Sequence, residues 1–274
     1  MDIAFIDFWP GFDPNNNFLL HALREVKEDV HVISPHKADI LFFSVFGDSN
    51  KHYSFYKKIA YTGENVAHSK LPDHDYALSF SPTNDNNFRL PLWVWYIDWW
   101  NKKTYTNPKH LVPKEWLTPA TNPYYKNVHD RRKFCATIFS NPVITRFEAI
   151  HNISEIARVD NYGKYGNKLP QGEQAKYDLL SQYKFNLCFE NSLSEGYVTE
   201  KLFQAFVAGT MPIYWGDDFA LQDFTAPFIK HEDWGSTIHQ VRNAMTMDNP
   251  ILMDEPFINE SIFHDFLSHL SIIT

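Results

Sequence analysis

One stretch of the sequence, Tyr183–Gly216, is the most informative about the fold. It reads YKFNLCFENSLSEGYVTEKLFQAFVAGTMPIYWG. Apolar side chains alternate through Phe185–Glu190, which predicts a strand, and a helix is predicted over Thr199–Ala208, with Gly209 as its C′ residue. Met211–Trp215 then predicts a second strand. This order of strand, polar loop, helix and strand is typical of an α/β fold, in which ligands bind where a loop leaves the carboxyl end of a strand.

Polar residues fill the loop and the first helical turn between those two strands. They are Glu190, Asn191, Glu195, Tyr197, Thr199, Glu200 and Lys201. Thr199 is predicted to be the N-cap, with its hydroxyl accepting from a backbone N–H of the first turn. Lys201 opposes the helix dipole, so we expect an anion beside it. A phosphate is favoured, because free N–H groups also point from a helix N-terminus, although pairing with Glu195 or Glu200 in solvent is the alternative.

The carboxylate of Glu190 has three readings that the sequence leaves open. It could accept hydrogen bonds from ribose or guanine, it could hold Lys201, or it could cap nearby backbone.

Short apolar runs alternate with a helical pattern in the first part of the chain. The helix is predicted over Phe18–Val26, and the strands are predicted over Ile3–Phe8, Val30–Ile33, Ile40–Val45, Lys58–Tyr61, Tyr76–Phe80 and Phe88–Leu92. This alternation predicts a mainly parallel sheet covered by helices.

A proline-rich segment, Asn107–Lys133, interrupts the pattern and is the predicted linker, because proline is excluded from helix interiors and central strands. A second β-α series follows it directly. Its elements are predicted over Phe134–Phe139, Val143–Asn152 (with Asn141 as N-cap and Pro142 in the first turn), Ile156–Asp160 and Gly172–Gln182. We therefore predict two α/β domains, residues 1–120 and 121–258, that bind ligands in the cleft between them. Residues 259–274 are predicted to be a C-terminal helix, amphipathic over Ser261–Ile273, that packs back on the first domain.

The charge and aromatic content of the chain bear on its function. The chain has 25 Lys and Arg against 33 Asp and Glu, a net charge of −8, and this argues against nucleic-acid binding. Aromatic residues make up 16% of it, and several cluster over Trp93–Trp100. We expect these rings to supply both core and stacking surfaces for sugar rings.

The N-terminus and the cysteines predict a cytoplasmic protein. Residues 1–12, MDIAFIDFWPGF, carry an acid at position 2 and no basic region, unlike a signal peptide, and no apolar run is long enough to span a bilayer. Cys135 and Cys188 lie in apolar runs, as small hydrophobic residues do in a reducing compartment.

Two further charged residues are candidates for a site. Arg146 lies early in the predicted helix Val143–Asn152, so it could converge with Lys201 on a diphosphate. Glu64 follows the predicted strand Lys58–Tyr61, where a carboxylate could serve as a base for sugar transfer.

We expect no metal site. Asp73-His74-Asp75 has the spacing of a DxD metal motif but directly precedes a buried strand, and no Cys/His spacing matches a zinc site. The sequence also contains neither a GxGxxG nor a Walker loop, which weighs against dinucleotide-dependent and P-loop enzymes.

The segments CFEN, GYVTEK and PIYWG within Tyr183–Gly216 resemble the donor-binding signature of the α-1,3/4-fucosyltransferases. Tyr61–Asn65, YTGEN, is similar to the catalytic segment of that family, and DFWPGF near the N-terminus is similar to its first strand and loop. The resemblance implies a GT-B architecture of two Rossmann-like domains facing a cleft, and inverting transfer of L-fucose from GDP-fucose to a glycan acceptor. It also implies that neither a metal nor another cofactor is required.

Carried across by position, the resemblance implies Glu64 as general base. It implies Arg146 and Lys201 on the diphosphate, Glu200 on the ribose, and Glu190, Asn191, Tyr197 and Thr199 around the donor. The acceptor it implies is a β-galactosyl-N-acetylglucosamine unit, with attack by the 3-hydroxyl more usual than by the 4-hydroxyl. The alternatives are a transferase of the same fold with another nucleotide deoxy-sugar donor, and a non-catalytic glycan-binding protein.

Overall fold

The fold is that of a computed structural model, which describes residues 1–53, 57–126, 128–131, 133–246 and 253–274. Asn127 and Arg132 of the predicted linker lie outside these ranges. The chain divides into two compact units, which are described separately below. The first comprises residues 1–111, 194–197 and 260–274, and the second comprises residues 112–193 and 198–259. The division thus falls at Leu111 rather than near residue 120, and the short segment Ser194–Tyr197 belongs to the first unit.

The first unit is built on a parallel sheet. Its elements begin with β1 (Asp2–Ile6), α1 (Phe18–Val26), β2 (His31–Val32), β3 (Ile40–Phe43), β4 (Lys57–Tyr61), β5 (Tyr76–Ser79), β6 (Asn87–Arg89) and β7 (Ile97–Asp98). Six strands pair in the order β2-β1-β3-β4-β5-β6, all in parallel. The direction of the strand order reverses between β1 and β3, and in an open parallel sheet such a switch point opens a crevice at the carboxyl ends of the strands.

The second unit repeats this plan. Its elements are β8 (Val112–Pro113), β9 (Lys133–Ile138), α2 (Ile144–Ser154), β10 (Val159–Tyr162), α3 (Glu173–Leu180), β11 (Tyr183–Phe189), α4 (Glu200–Val207), β12 (Met211–Trp215), α5 (Ala220–Asp223), β13 (Ile229–Lys230) and α6 (Trp234–Met245). Five parallel strands follow the order β10-β9-β11-β12-β13, so the switch point lies between β9 and β11. The α/β prediction is confirmed, whereas β8, α5, β13 and α6 were not predicted.

The predicted cap of α2 is wrong. Val143, not Asn141, occupies the N-cap position, and no side chain caps the helix there. The backbone of Asn141 has another task, because its carbonyl accepts hydrogen bonds from the backbone of Val143 and from Arg146.

The aromatic cluster over residues 93–100 belongs to the core of the first unit. Trp93 and Trp95 are buried, and Trp95 packs on Tyr61 with ring centroids 4.6 Å apart. Trp99 stacks on Phe263, with the two rings 4.0 Å apart and inclined by 3°. Of the two expected roles the core role is confirmed for these rings, and the buried Trp93 and Trp95 have no face available for a sugar.

The last helix, α7 (Ser261–Ile273), has the bounds expected from its apolar periodicity and packs against α1. Phe266 stacks on Phe18 at 5.4 Å, and the Lys27 ammonium donates to the carbonyl of Ser271 at 2.9 Å. With 13 residues α7 is the longest helix in the described ranges, none of which contains a helix that could cross a bilayer.

From Val112 onward the described residues of the proline-rich segment belong to the second unit. These residues include three short 3-10 turns, and their side chains cover the C-terminal end of α4. A carbonyl at the end of a helix has no intrahelical partner, and here each of four successive carbonyls receives a side-chain donor. The pairs are Tyr125 Oη to Phe206 O (2.8 Å), Asn122 Nδ2 to Val207 O (3.0 Å), Arg131 Nη2 to Ala208 O (2.9 Å) and Arg131 Nη1 to Gly209 O. Gly209 follows the helix at φ 66°, as predicted for its C′ residue.

Candidate functional site

The residues predicted at the start of α4 form a buried cluster in the second unit. Glu190, directly after β11, is fully buried. Its Oε1 accepts from the backbone N–H of Thr199 at 2.8 Å, and its Oε2 accepts from the Thr199 hydroxyl at 2.8 Å and from the Lys201 ammonium at 3.1 Å. The Lys201 ammonium also lies 2.8 Å from the Thr199 hydroxyl. Of the three readings left open for Glu190, the structure shows two together: the carboxylate holds Lys201 and also accepts from the nearby backbone N–H of Thr199.

The anion beside Lys201 is consequently a carboxylate of the protein itself. The carboxylate of Glu200 lies 3.4 Å from the same ammonium, and the side chain of Lys201 keeps only 18% of its surface exposed. A phosphate is not required to explain why a lysine stands at the N-terminus of this helix. Two carboxylates close to one ammonium also fix the position of that ammonium, which is what a preorganised binding group requires.

Thr199 occupies the N-cap position of α4 but does not cap the helix with its side chain. Its hydroxyl contacts the Glu190 carboxylate and Lys201 instead, so the prediction of a side-chain cap is wrong. The hydroxyl donates to the Glu190 carboxylate and accepts from the Lys201 ammonium, and a hydrogen bond to a charged group is about twice as strong as a neutral one.

Glu200 remains ionised in this cluster. Burial alone would raise the pKa of its carboxyl group, but the Lys201 ammonium, hydrogen bonds from its own backbone N–H and from Thr199, and the Lys176 ammonium together hold the pKa below its usual value. Glu200 also stands in the first turn of α4, where the helix dipole favours a negative charge.

Arg146 lies at the switch point of the second unit. Its side chain is 3% exposed, its Nε and Nη2 both donate to the carbonyl of Phe189 at 3.0 and 2.6 Å, and its Nη1 donates to the carbonyl of Asn141 at 3.0 Å. Phe189 ends β11 and Asn141 follows β9, so the guanidinium joins the ends of the two strands that flank the switch point. Residue Phe189 also precedes Glu190 directly, which brings Arg146 to the strand end that carries the Lys201 cluster.

Asn191 and Tyr197 lie in the segment that connects β11 to α4. Asn191 is half-buried in the loop after β11. Tyr197 belongs to the first unit, where its buried ring packs edge-on against Phe80 at 5.1 Å. Gly196 makes this turn at φ 80°, and a Cβ there would lie 2.1 Å from the carbonyl oxygen of Phe80. The loop is therefore specific for glycine at this position.

Glu64 stands exposed in the first unit, three positions past the end of β4. Thr62 positions it, because the buried Thr62 hydroxyl accepts from the backbone N–H of Glu64 at 3.1 Å. Tyr61 lies beside it: burial raises the pKa of that phenol, and the Glu64 carboxylate raises it further. Gly63 is needed for space, since a Cβ would lie 2.9 Å from the side chain of Leu92.

The sequence had not singled out Thr62 and Tyr61 as supports of Glu64. A Thr two positions before a polar residue is a known turn-forming pattern and was an available signal. The proximity of the Tyr61 hydroxyl, in contrast, follows from the path of the chain after β4.

The DxD-like segment has structural partners. Asp73 accepts from the Lys58 ammonium at 2.9 Å, Asp75 accepts from the backbone N–H of Lys58 at 2.7 Å, and the His74 ring contacts the carbonyl of Pro72 at 2.6 Å. Within the described parts of the chain no group of three or more His, Cys, Asp or Glu is placed to hold a metal ion.

Two family models match the chain. One, described as the α-(1,3)-fucosyltransferase FucT N-terminal domain, matches residues 3–96, and the other, described as glycosyltransferase family 10 (fucosyltransferase) C-term, matches residues 128–249. The chain belongs to glycosyltransferase family 10. The second match contains Arg146 and the whole Glu190–Lys201 cluster, and the first contains Glu64.

Solved structures of α-1,3-fucosyltransferase share the fold of this family 10 chain. One is a complex with GDP-fucose, with a TM-score of 0.65 and 25% identity, and the likeness covers 98% of this chain and 90% of the other. Another gives a TM-score of 0.66 at 25% identity, covering 98% and 89%. The expected GT-B fold is confirmed by these neighbours.

Relatives by sequence are members of the same family but longer. The chain is 28% identical to α-(1,3)-fucosyltransferase FucT of Helicobacter pylori over 92% of its own length and 60% of the relative. It is 32% identical to the human 4-galactosyl-N-acetylglucosaminide 3-α-L-fucosyltransferase 9 over 46% of its own length and 36% of the relative. The chain thus spans less than two thirds of the length of each of these relatives.

Proposed function

We propose that this chain transfers L-fucose from GDP-fucose to a hydroxyl of a glycan acceptor, with inversion at the anomeric carbon. The observation that carries the proposal is the position of two cations at the carboxyl end of β11. Arg146 binds the carbonyl of Phe189, and Lys201 binds the carboxylate of the next residue, Glu190. Two cations held on consecutive residues beside a switch point suit the two phosphates of a nucleoside diphosphate.

In the proposed reaction the acceptor oxygen attacks C1 of the fucose in a single displacement. The new C1–O bond forms on the face opposite GDP while the bond from C1 to the phosphate oxygen breaks, so a β-linked donor gives an α-linked product. Glu64 takes the proton of the attacking hydroxyl. Arg146 and Lys201 stabilise the negative charge that develops on the departing GDP, and such preorganised electrostatic stabilisation is often the largest catalytic contribution.

The remaining donor contacts are assigned as follows. Glu200 binds the ribose, and Asn191 and Tyr197 lie around the donor. Glu190 and Thr199 act by positioning the Lys201 ammonium, since both already contact it. Arg146 and Lys201 take the place of a metal ion at the diphosphate in this proposal, so the transfer needs no metal ion and no other cofactor.

The acceptor we propose is a β-galactosyl-N-acetylglucosamine unit, fucosylated at O3 of the N-acetylglucosamine. The names of the mammalian relatives specify a 4-galactosyl-N-acetylglucosaminide and a 3-linked fucose, and the name of the Helicobacter pylori relative specifies an α-(1,3) linkage. The buried free thiols of Cys135 and Cys188 fit a reducing compartment, and we place the enzyme in the cytoplasm.

A glycan array incubated with GDP-fucose tests this function, with the new linkage determined by NMR. We expect transfer to acceptors that end in β-galactosyl-N-acetylglucosamine and an α-1,3 linkage in the product. A parallel screen of other nucleotide deoxy-sugars checks the donor, and transfer from one of those alone would contradict the assignment. Glycan binding without release of GDP from GDP-fucose in the presence of any acceptor would instead identify a non-catalytic glycan-binding protein.

A further inference from the structure

An aromatic surface formed by Trp9, Phe12 and Phe46 lies at the switch point of the first unit. Trp9 follows β1 and Phe46 follows β3, the two strands between which the strand order reverses. The ring of Phe46 is 45% exposed and meets the Trp9 ring edge-on, with centroids 6.1 Å apart. Behind them Phe12 packs on Trp9 at 5.1 Å. Among the described residues of this unit the other large rings are packed, so an exposed aromatic ring is unusual, and this one stands where open parallel sheets bind ligands.

Asp7 holds the two loops of this surface together. Its carboxylate accepts from the backbone N–H groups of Ser49 and Asn50 at 3.1 and 2.8 Å, and its carbonyl accepts from the N–H of Phe46 at 3.0 Å. Asp7 adopts φ 57°, a left-handed conformation that is uncommon for a residue other than glycine. Such strain persists only where the surroundings impose it, and it is concentrated at functional sites.

Tyr61 connects the aromatic surface to the segment that carries Glu64. Tyr61, which ends β4 three positions before Glu64, packs against Trp9 with ring centroids 6.5 Å apart. Phe46 and Glu64 each stand three positions past the end of their strands, and these strands, β3 and β4, are paired neighbours. A carboxylate that takes a proton from a sugar hydroxyl and a flat apolar face therefore occur at one edge of one sheet.

We infer that Phe46, backed by Trp9, stacks on the apolar face of a hexose ring of the glycan acceptor. This stacking presents the reacting hydroxyl of the acceptor to Glu64. The inference rests on the proposed function, which it deepens by assigning an acceptor subsite. A pyranose exposes a patch of C–H groups on one face and hydroxyls around its rim. An aromatic ring at the mouth of a site can pack on the C–H face, while a carboxylate accepts hydrogen bonds from the hydroxyls. Asp7 is a positioning residue, because it acts only through the loops that it joins.

Titration of N-acetyllactosamine followed by NMR, with and without saturating GDP, tests this subsite by binding alone. Partial loss of an apolar contact of this size predicts that Phe46→Ala raises the acceptor Kd by about tenfold, while Phe46→Tyr stays within about twofold of the wild type. Ile272→Ala, which truncates a side chain that is 79% exposed on α7, is the matched control and should bind as the wild type does. The GDP affinity, measured by calorimetry, should be the same in all four proteins.

The subsite is refuted if Phe46→Ala binds the glycan as tightly as the wild type, or if the wild type binds no hexose-containing glycan. Equal weakening by Phe46→Tyr would show that a flat aromatic face is not what the ligand recognises. Failure of the proposed function looks different: glycan binding would depend on Phe46, yet no fucose would be transferred.

Discussion

At the scale of single residues, the pairing of Lys201 with Glu190 gives Lys201 two candidate tasks, which are to stabilise the fold and to bind the nucleotide. Glu190 is fully buried, so its charge is tolerated only because Lys201 and Thr199 surround it. A lysine in this position has a structural task whether or not a phosphate binds. Only a variant that separates the stability of the fold from the binding of the nucleotide shows which task Lys201 performs.

We therefore expect Lys201→Ala to weaken GDP binding by about 10- to 100-fold, the range of one to two charge-assisted hydrogen bonds. It should also lower the free energy of unfolding by about 3 kcal/mol, because the buried Glu190 carboxylate loses its cation. The double variant Lys201→Met/Glu190→Gln removes both charges and should recover most of the stability without recovering GDP affinity. Calorimetric titration with GDP and urea unfolding measure the two quantities. A Lys201→Ala protein that unfolds more easily but binds GDP normally would show that Lys201 is structural alone.

At the scale of elements, α4 is held at both ends by groups far away in the sequence. The N-terminal end is anchored to Glu190, and the C-terminal carbonyls are satisfied from the segment 122–131. The helix that presents Lys201 is therefore fixed by the proline-rich segment, which had been expected to be a linker. Proline punctuation shows where regular structure stops, but it carries no information about what such a segment packs against.

Tyr125→Phe tests this anchoring, because it removes the side-chain donor of the buried carbonyl of Phe206, which then keeps only backbone donors such as the N–H of Gly209. We expect a loss of about 1 kcal/mol in the free energy of unfolding, measured in urea. Tyr177→Phe is the matched control: this tyrosine is also buried in the second unit, but its hydroxyl has no hydrogen-bond partner among the described residues. Its removal should change the stability by less than about 0.5 kcal/mol. Equal losses in the two variants would contradict the capping role of Tyr125.

At the scale of the whole molecule, the periodicity of apolar residues predicted what depends on local sequence. The bounds of α1, β12 and α7 agree with their apolar patterns to the residue, and both parallel sheets follow from the β-α alternation. The short α5, the two-residue β13 and the polar α6 escaped prediction, because none has an apolar pattern long enough to register.

The sequence likewise predicted only part of the candidate site. The residues at the strand ends could be named from sequence because polar side chains there interrupt apolar runs. The partner of Lys201 could not be chosen, because three nearby carboxylates, Glu190, Glu195 and Glu200, were equally available along the chain. The exposed ring of Phe46 was not singled out either, since exposure of one phenylalanine among 23 is a property of the fold.

Glu64→Gln provides the most direct test of the proposed catalytic reaction, with Glu25→Gln, an exposed glutamate on α1, as the matched control. Turnover of GDP-fucose with N-acetyllactosamine and calorimetric binding of GDP are measured for both variants and for the wild type. Because general base catalysis contributes typically about 10²- to 10⁴-fold, we predict that Glu64→Gln lowers kcat by at least about 100-fold while the Kd for GDP stays within about twofold. Unchanged turnover in Glu64→Gln, or a loss of GDP affinity as large as the loss of turnover, would contradict the role of Glu64 as the base.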